Sequence, residues 1–529
     1  MKEESLWTRY SDNLSFPRLL EDITVDVAII GGGITGVTTA ALLADSGKKI
    51  ALLEARQIGR SSSGFSTGNL YEILGDELSD LVQLHGAEKG NRVVSSRREA
   101  ILLIERMIER FSIDCDFRRV PRYFYASVKT SEQTIENEAK TQALLNLPFT
   151  YGPFPEKRLQ ARVGIVNDDQ AQFNPQRYIE KLAEKINCGN VEIYERSAVE
   201  KIEKIDGRYI LYTDHGIISA EKIIHATHTP KGLMTYHTLL GPYREYGLAF
   251  KINGRPHPPG IFFGYFGDFH VSTRGYERDR EQYLVVVGSP HKVGQGDSVE
   301  EMNRLEIFAR AHFDVVEVVE RWGAQQYKTT DYLPYIGHKS KGEDVFIATG
   351  FSAHGLTYGT VAAQILADQI LGRENPYADL YSPTRLNPLK SAPKFIKENA
   401  NVFYEYVKDY VLENYPQDLH DVAAAEGKIV SFDGKKIAVS RDEEGHLHVC
   451  SAICPHLAGV VHWNNAEKTW DCPCHGSRFT PEGDVLEGPA FKGLQVYQLA
   501  DLEEKAEKSK KESWIPRTGI SPSEESGLI

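Results

Sequence analysis

Apolar positions follow three patterns along the chain. In residues 25–54 (VDVAIIGGGITGVTTAALLADSGKKIALLE) an apolar run, a glycine cluster, a helical apolar stretch and a second apolar run predict strand, turn, helix and strand, the core of an α/β domain. Between residues 120 and 327, β-rich runs such as QYLVVVG at 282–288 are mixed with helical stretches, predicting a second lobe. A further apolar run at 345–349 leads into a glycine-containing loop and a helix over 357–371, with Gly372 in the place of a C-terminal capping glycine.

Residues 374–394 contain four prolines and predict an extended connector. Phe395, Ile396, Val402, Phe403, Tyr406, Val407, Tyr410 and Val411 then recur at helical spacing, opposite Lys397, Glu398, Glu405, Lys408 and Asp409. That mixed-charge face predicts an amphipathic helix docked on protein rather than lying on a membrane. Short strands alternating with glycine turns predict a small all-β module over 422–500, and the charged, serine-rich 501–529 predicts a disordered tail. The expected organisation is therefore 1–373, a linker and bridging helix over 374–421, a small domain over 422–500 and the tail.

Charge and composition narrow the function classes. The balance of 61 basic and 74 acidic residues, a formal −13, repels phosphate backbones and argues against a nucleic-acid partner. No run approaches the roughly 18 apolar residues of a membrane span, and the first residues lack a secretory pattern, so the expectation is a cytoplasmic protein without integral membrane contact. Of six cysteines, Cys450, Cys454, Cys472 and Cys474 fall within 25 residues, which suggests a local cofactor, whereas Cys115 and Cys188 read as structural thiols.

Gly31, Gly33 and Gly36 follow the first strand and open the helix, and Glu54 ends the next strand. The glycines permit a tight turn, close approach of a pyrophosphate and close helix packing, while the helix N-terminus favours phosphate and Glu54 can accept from ribose hydroxyls. With the serine- and glycine-rich loop GRSSSGFSTG at 59–68 and a late loop ATGFSAHGLT at 348–357, residues 26–372 resemble the D-amino-acid oxidase superfamily of FAD-dependent oxidoreductases. The resemblance implies an α/β FAD-binding, Rossmann-type domain with a mixed α+β substrate lobe. It places Ser62, Ser63 and Thr67 along the diphosphate and flavin, Gly350, His354, Gly355, Leu356 and Thr357 at the pyrimidine end of the isoalloxazine, and Val199 and Ala226 near the adenosine. There is no second GxGxxG, which argues against a built-in nicotinamide site, and no cysteine at a recognisable covalent-flavin position, so dissociable FAD is expected.

The most specific pattern is Cys454-Pro455-His456, fifteen residues, then Cys472-Pro473-Cys474-His475-Gly476-Ser477. The same donor types could build a Cys₂His₂ zinc site, but CxH paired with CxxH is unlike zinc-finger spacing. The pattern resembles the Rieske family, which implies a small all-β domain holding a [2Fe-2S] cluster through Cys454, Cys472, His456 and His475. Two departures from the family stand out. Gly459 occupies the position of a disulfide-forming cysteine, leaving Cys474 unpaired, and Phe479 replaces a tyrosine that bonds a ligand sulfur, which implies a lower reduction potential. Cys450, His446, His448 and His462 read as packing or surface residues, and Gly488-Pro489-Ala490 resembles the loop that covers the cluster.

Together these features imply flavin-dependent oxidation of an amine or amino-acid-like small molecule, with electrons leaving through the cluster to a one-electron acceptor such as a ferredoxin or another redox protein. Reversed flow in a reductase and a non-catalytic redox sensor are the alternatives. His354, His270 and Arg274 are the candidate catalytic residues, Arg274 as a carboxylate anchor, and Tyr123, Phe124 and Tyr125 could wall the pocket or fill the core.

Overall fold

The structure is a computed structural model that describes residues 4–152, 154, 156–232, 235–266, 269–340, 342–385, 388–413, 415–416, 418–502 and 504. Strand β1 (Ile23–Ile30) lies inside an eight-stranded sheet, parallel to β2 (Ile50–Leu53) on one side and to Ile217–His225 on the other. Val345–Thr349 and Val191–Tyr194 extend the parallel core. Every residue of β2 is buried, which is why its sequence is apolar without alternation: helices cover both faces of such a sheet. Helices α1 (Ile34–Leu43) and α2 (Gly355–Ile370) pack against each other on one face.

A nine-stranded sheet forms the second lobe. At its edge β3 (Leu240–Ile252) pairs antiparallel with β4 (Val315–Thr329), and these strands face both the first lobe and the C-terminal module. The expected second lobe is thus one large sheet. Tyr125 and Phe124 are buried in its apolar clusters, so they are core residues, and Tyr123 stacks on Phe262 at 4.5 Å.

The segment expected to be an extended connector is not extended. Residues Ala378–Tyr381 form a short helix whose Leu380 and Tyr381 join the first core, and Arg385 donates to Asp331 and to the carbonyl of Pro334. Helix α3 (Pro388–Val407) then begins at a proline, which costs nothing at a first helical position because that N–H has no intrahelical acceptor. It continues into a wider i→i+5 turn at Lys408–Leu412. As expected it docks on protein: Val402 and Tyr406 pack on the C-terminal core, and Tyr410 Oη donates to the Ala458 carbonyl at 2.8 Å. Ile396, Phe403 and Val411 are nevertheless exposed.

The C-terminal module consists of a three-stranded and a four-stranded antiparallel sheet. Leu502 packs into it, and nearly all of the expected tail lies outside the described residues. The module is clamped to the flavin lobe by buried charges. Arg244 on β3 donates to Glu467 at 2.7 Å and to Glu487 at 2.7 Å, and Arg478 reaches Asp471 at 2.9 Å and Glu487 at 2.7 Å. Among the described residues no helix is long and apolar enough to cross a membrane.

Candidate functional site

The glycine turn has the shape that its sequence requires. Gly31 has φ +110, and a Cβ there would lie 2.4 Å from the Ala226 carbonyl oxygen. A Cβ at Gly36 would fall 1.9 Å from Gly31 O, so only glycine lets α1 sit this close to the turn. Glu54 accepts from the amides of Gly32 and Arg56, each at 2.8 Å, which fixes its carboxylate at the end of β2. Ser63 Oγ accepts from Ile34 N at the start of α1, and Ser62 Oγ lies 3.1 Å from His228 Nδ1.

These residues line a long groove made of two joined cavities. One, of about 1200 Å³, runs past Gly31, Gly33, Glu54, Val199, Ala226 and Lys231. The other, of about 950 Å³, runs past Gly33, Ser62, Ser63, Thr67, Tyr71 and Glu245 to His354, Gly355, Leu356 and Thr357. The shared wall at Gly33, Ser62, Ser63, Ala226 and His228 makes the space continuous, as an extended dinucleotide demands. Arg56 and Lys231 bring cations to the first half, and the amides opening α1 and α2 have no intrahelical acceptors. Burial lowers Lys231 to about 8. The residues present therefore fit FAD.

Three of the expected site residues have other places. Gly350, at φ +79, lines a smaller neighbouring cavity and forms a turn packed on Thr329, outside the main groove. Arg274 is fully buried, and its Nη1 donates to the carbonyls of Thr67, Gly68 and Phe173 at 2.8–3.1 Å. It braces the loop that lines the cavity and is not part of the cavity wall, its guanidinium supplying a donor to backbone carbonyls at a depth that water does not reach. His270 stands behind Glu245, with Nε2 3.7 Å from Oε1, and is not part of the cavity wall.

His354 does line the cavity, as the N-cap residue of α2, with its ring 5.5 Å from that of Tyr71. Burial, then Arg97, Arg122 and Lys328, push its imidazole well below the usual range, so it is neutral at physiological pH. Glu245, Tyr71, Asn69, His228, Gln325 and Gln326 complete the wall, and the sequence offered no motif for any of them. They come from strands and loops of both sheets that only the folded molecule brings together.

The second centre is assembled by two tight loops. Cys454 N donates to Gly459 O and Cys472 N to Ser477 O, each at 2.8 Å, which turns Cys454, His456, Cys472 and His475 inward. All four are buried, and the two imidazoles are 5.1 Å apart. His475 Nδ1 has no hydrogen-bond partner among the described residues, and the Cys454 thiol is pushed up by its hydrogen bond with Cys472 and by burial. Two crowded thiols and an unpartnered buried ring nitrogen form a donor set that fits a [2Fe-2S] centre with two sulfurs and two nitrogens. Cys474 is a buried free thiol, and a Cβ at Gly459 would lie 2.6 Å from its Sγ, so no larger side chain fits opposite it. Cys450 is buried in the module core, and its thiol is raised to about 12, mainly by burial.

The two centres adjoin. Gln325 on β4 lines the flavin cavity, and its Nε2 donates to Gly476 O at 2.8 Å, one residue beyond His475. The ring of His237 lies 4.6 Å from that of His456. Glu487, Gly488 and Phe491 of the C-terminal module roof the adenosine end of the groove.

Residues 26–369 match the family described as FAD dependent oxidoreductase, and residues 416–498 match the Rieske [2Fe-2S] domain. The chain belongs to the FAD dependent oxidoreductase family. Within it, this oxidoreductase is 32% identical over 506 residues to the Rieske 2Fe-2S iron-sulfur protein YhfW of Bacillus subtilis, covering 94% of this chain and 98% of that one. It is 28% identical over 371 residues to the gamma-glutamylputrescine oxidoreductase of Escherichia coli, covering 68% of this chain and 86% of that one. The first body has the fold of glycine oxidase from Geobacillus kaustophilus, with a TM-score of 0.55 at 18% identity over 69% of this chain and 99% of that one. The protein is thus an enzyme of the FAD dependent oxidoreductase family with its own Rieske domain, and its cofactors are FAD and a [2Fe-2S] cluster.

Proposed function

We propose that this enzyme oxidises a cationic amine at a C–N bond and delivers the electrons, through the contact between Gln325 and Gly476, to its own cluster and then to an external one-electron acceptor. The observation that carries the reading is the shared wall. One side chain, Gln325, borders the flavin cavity and hydrogen-bonds the loop that holds His475. FAD held in this groove would supply two-electron oxidation of the substrate carbon and one-electron release, and a cluster held by Cys454, His456, Cys472 and His475 would supply one-electron transfer.

The lining supports a cationic substrate. Among the described lining residues Glu245 is the only acid and none is lysine or arginine. Gln326 Nε2, 3.4 Å away, is the only hydrogen-bond donor to its carboxylate among the described residues, so Glu245 is free to hold an ammonium. An amino acid would bring a carboxylate that no described lining cation matches, since Arg274 is buried behind the wall with Nη1 on backbone carbonyls. The name of the E. coli relative, a gamma-glutamylputrescine oxidoreductase, agrees with an amine. The proton lost from nitrogen as C=N forms needs a basic acceptor, and the neutral imidazole of His354 lies in the same wall.

The test is anaerobic rapid mixing with diamines and amino acids, following flavin absorbance and the EPR of the reduced cluster. Amine-driven flavin bleaching followed by cluster reduction is the expected result, with Gln325→Leu slowing only the second phase. A cluster that stays oxidised while the flavin is reduced would overturn the electron route. Bleaching by NADH alone would identify reversed flow.

A further inference from the structure

Where α3, the Rieske module and the flavin body meet, three side chains outside both cofactor sites converge. Glu405 and Asp409 are four residues apart on the bridging segment, and His462 opens the strand His462–Asn464. One ligand atom from each lies within 4.8 Å of the others. Glu405 is 4% and Asp409 1% exposed.

The hydrogen bonds fix the roles of the ring nitrogens. His462 Nδ1 is 2.6 Å from the Gly294 carbonyl, which can only accept, so Nδ1 carries a hydrogen. Nε2 therefore faces both oxygens of Asp409, at 3.0 and 3.1 Å. An imidazole held by a backbone carbonyl through one nitrogen and turned towards carboxylates with the other is arranged as metal-ligating histidines are. An added proton on Nε2 would satisfy Asp409 but would leave Glu405. Glu405 Oε2 is buried and has no hydrogen-bond partner among the described residues, and Lys408 Nζ, 3.6 Å away, is beyond hydrogen-bond reach. Tyr415 Oη donates to Asp409 Oδ1 at 3.2 Å, orienting that carboxylate from outside.

We propose that Glu405, Asp409 and His462 form a binding site for a divalent first-row transition ion that fastens the bridging helix to the Rieske module. One imidazole with two carboxylates suits Zn²⁺ or Mn²⁺ better than the oxygen-only preferences of Mg²⁺ and Ca²⁺. The ion sits apart from the cluster and takes no part in electron transfer. Its effect is to hold three segments of the chain together.

The test uses the full holoprotein, loaded with Zn²⁺ or with Mn²⁺ alone and then desalted, with metals, flavin and melting temperature measured on the same sample. One equivalent of added ion beyond the two irons of the cluster, and a raised melting temperature, are expected, with the cluster EPR unchanged. Glu405→Gln keeps the side-chain shape and should lose the added ion while retaining iron and FAD, and His462→Gln should do the same. The proposal is overturned if the wild type takes up no ion beyond its iron, which would identify a plain imidazolium–aspartate pair. It is equally overturned if both variants still bind the ion.

Discussion

A carboxylate in a cavity wall and an arginine behind it have separate tasks, one facing the cavity and the other the backbone. If Glu245 holds the substrate ammonium, Glu245→Gln removes a charge-assisted hydrogen bond worth about 1.5–3 kcal/mol, so KM for a diamine should rise by roughly 10- to 100-fold. kcat should change far less, and steady-state kinetics against diamine length would show it. Unchanged KM would place the ammonium elsewhere. Arg274 makes the opposite prediction. Its replacement by Met removes the Nη1 hydrogen bonds to the carbonyls of Thr67, Gly68 and Phe173, of which Gly68 O keeps the Phe173 amide, at about 1–3 kcal/mol for each group left unsatisfied. Arg274→Met should therefore lower the melting temperature and flavin content, while the molecules that keep FAD retain their substrate KM. A selective loss of affinity for carboxylate-bearing substrates would instead restore Arg274 as an anchor.

At the scale of single elements, two helix starts and one strand edge set the site. Gly36 lies within α1 with no room for a side chain, since a Cβ would overlap Gly31 O at 1.9 Å. Gly36→Ala should push α1 off the turn and yield protein with an intact cluster EPR signal but without the flavin absorbance bands. Normal flavin content would show that the turn can yield. The strand, turn and helix around Gly36 could be read from the sequence because spacing and residue type alone dictate them. The short helix Ala378–Tyr381 could not, because proline content suggests extension, whereas burial of Leu380 and Tyr381 in a distant core holds the chain helical. The start of α2 at Gly355, two residues before the expected one, is the ordinary imprecision of a helix boundary.

At the scale of the molecule, the Rieske module also walls the dinucleotide groove. Phe491, Glu487 and Gly488 line the first half of the groove, so loosening of the module is expected to uncover that end. Burial opposes ionisation of Glu487, but Arg244 and Arg478 hold its carboxyl down at about 2, from an ordinary 4.5. A depressed carboxyl contributes docking stability that is fully present above its ordinary value and is lost as pH falls through its folded value. Acidification from about 4.5 towards 2 should therefore loosen the module and speed release of FAD, seen as a rise in flavin fluorescence. Glu487→Gln should release FAD faster at neutral pH and abolish most of that acid dependence. An acid profile unchanged by the substitution would assign the release to other carboxylates.

Residue type and spacing were enough to read a dinucleotide turn, a two-cysteine, two-histidine donor set, the α/β core and the small all-β module, while the choice of FAD and a [2Fe-2S] cluster came from family resemblance. Dinucleotide turns and paired CxH and CxxH loops are local devices, complete within a few dozen residues. The substrate wall and the junction between centres were decided only in the folded molecule. Glu245 and Gln325 lie 80 residues apart on strands whose register depends on a nine-stranded sheet, His228 comes from a loop of the other sheet, and the Gly476 carbonyl that Gln325 meets belongs to another domain. No short-range pattern encodes such contacts, because each residue takes its role from the partner that packing brings to it.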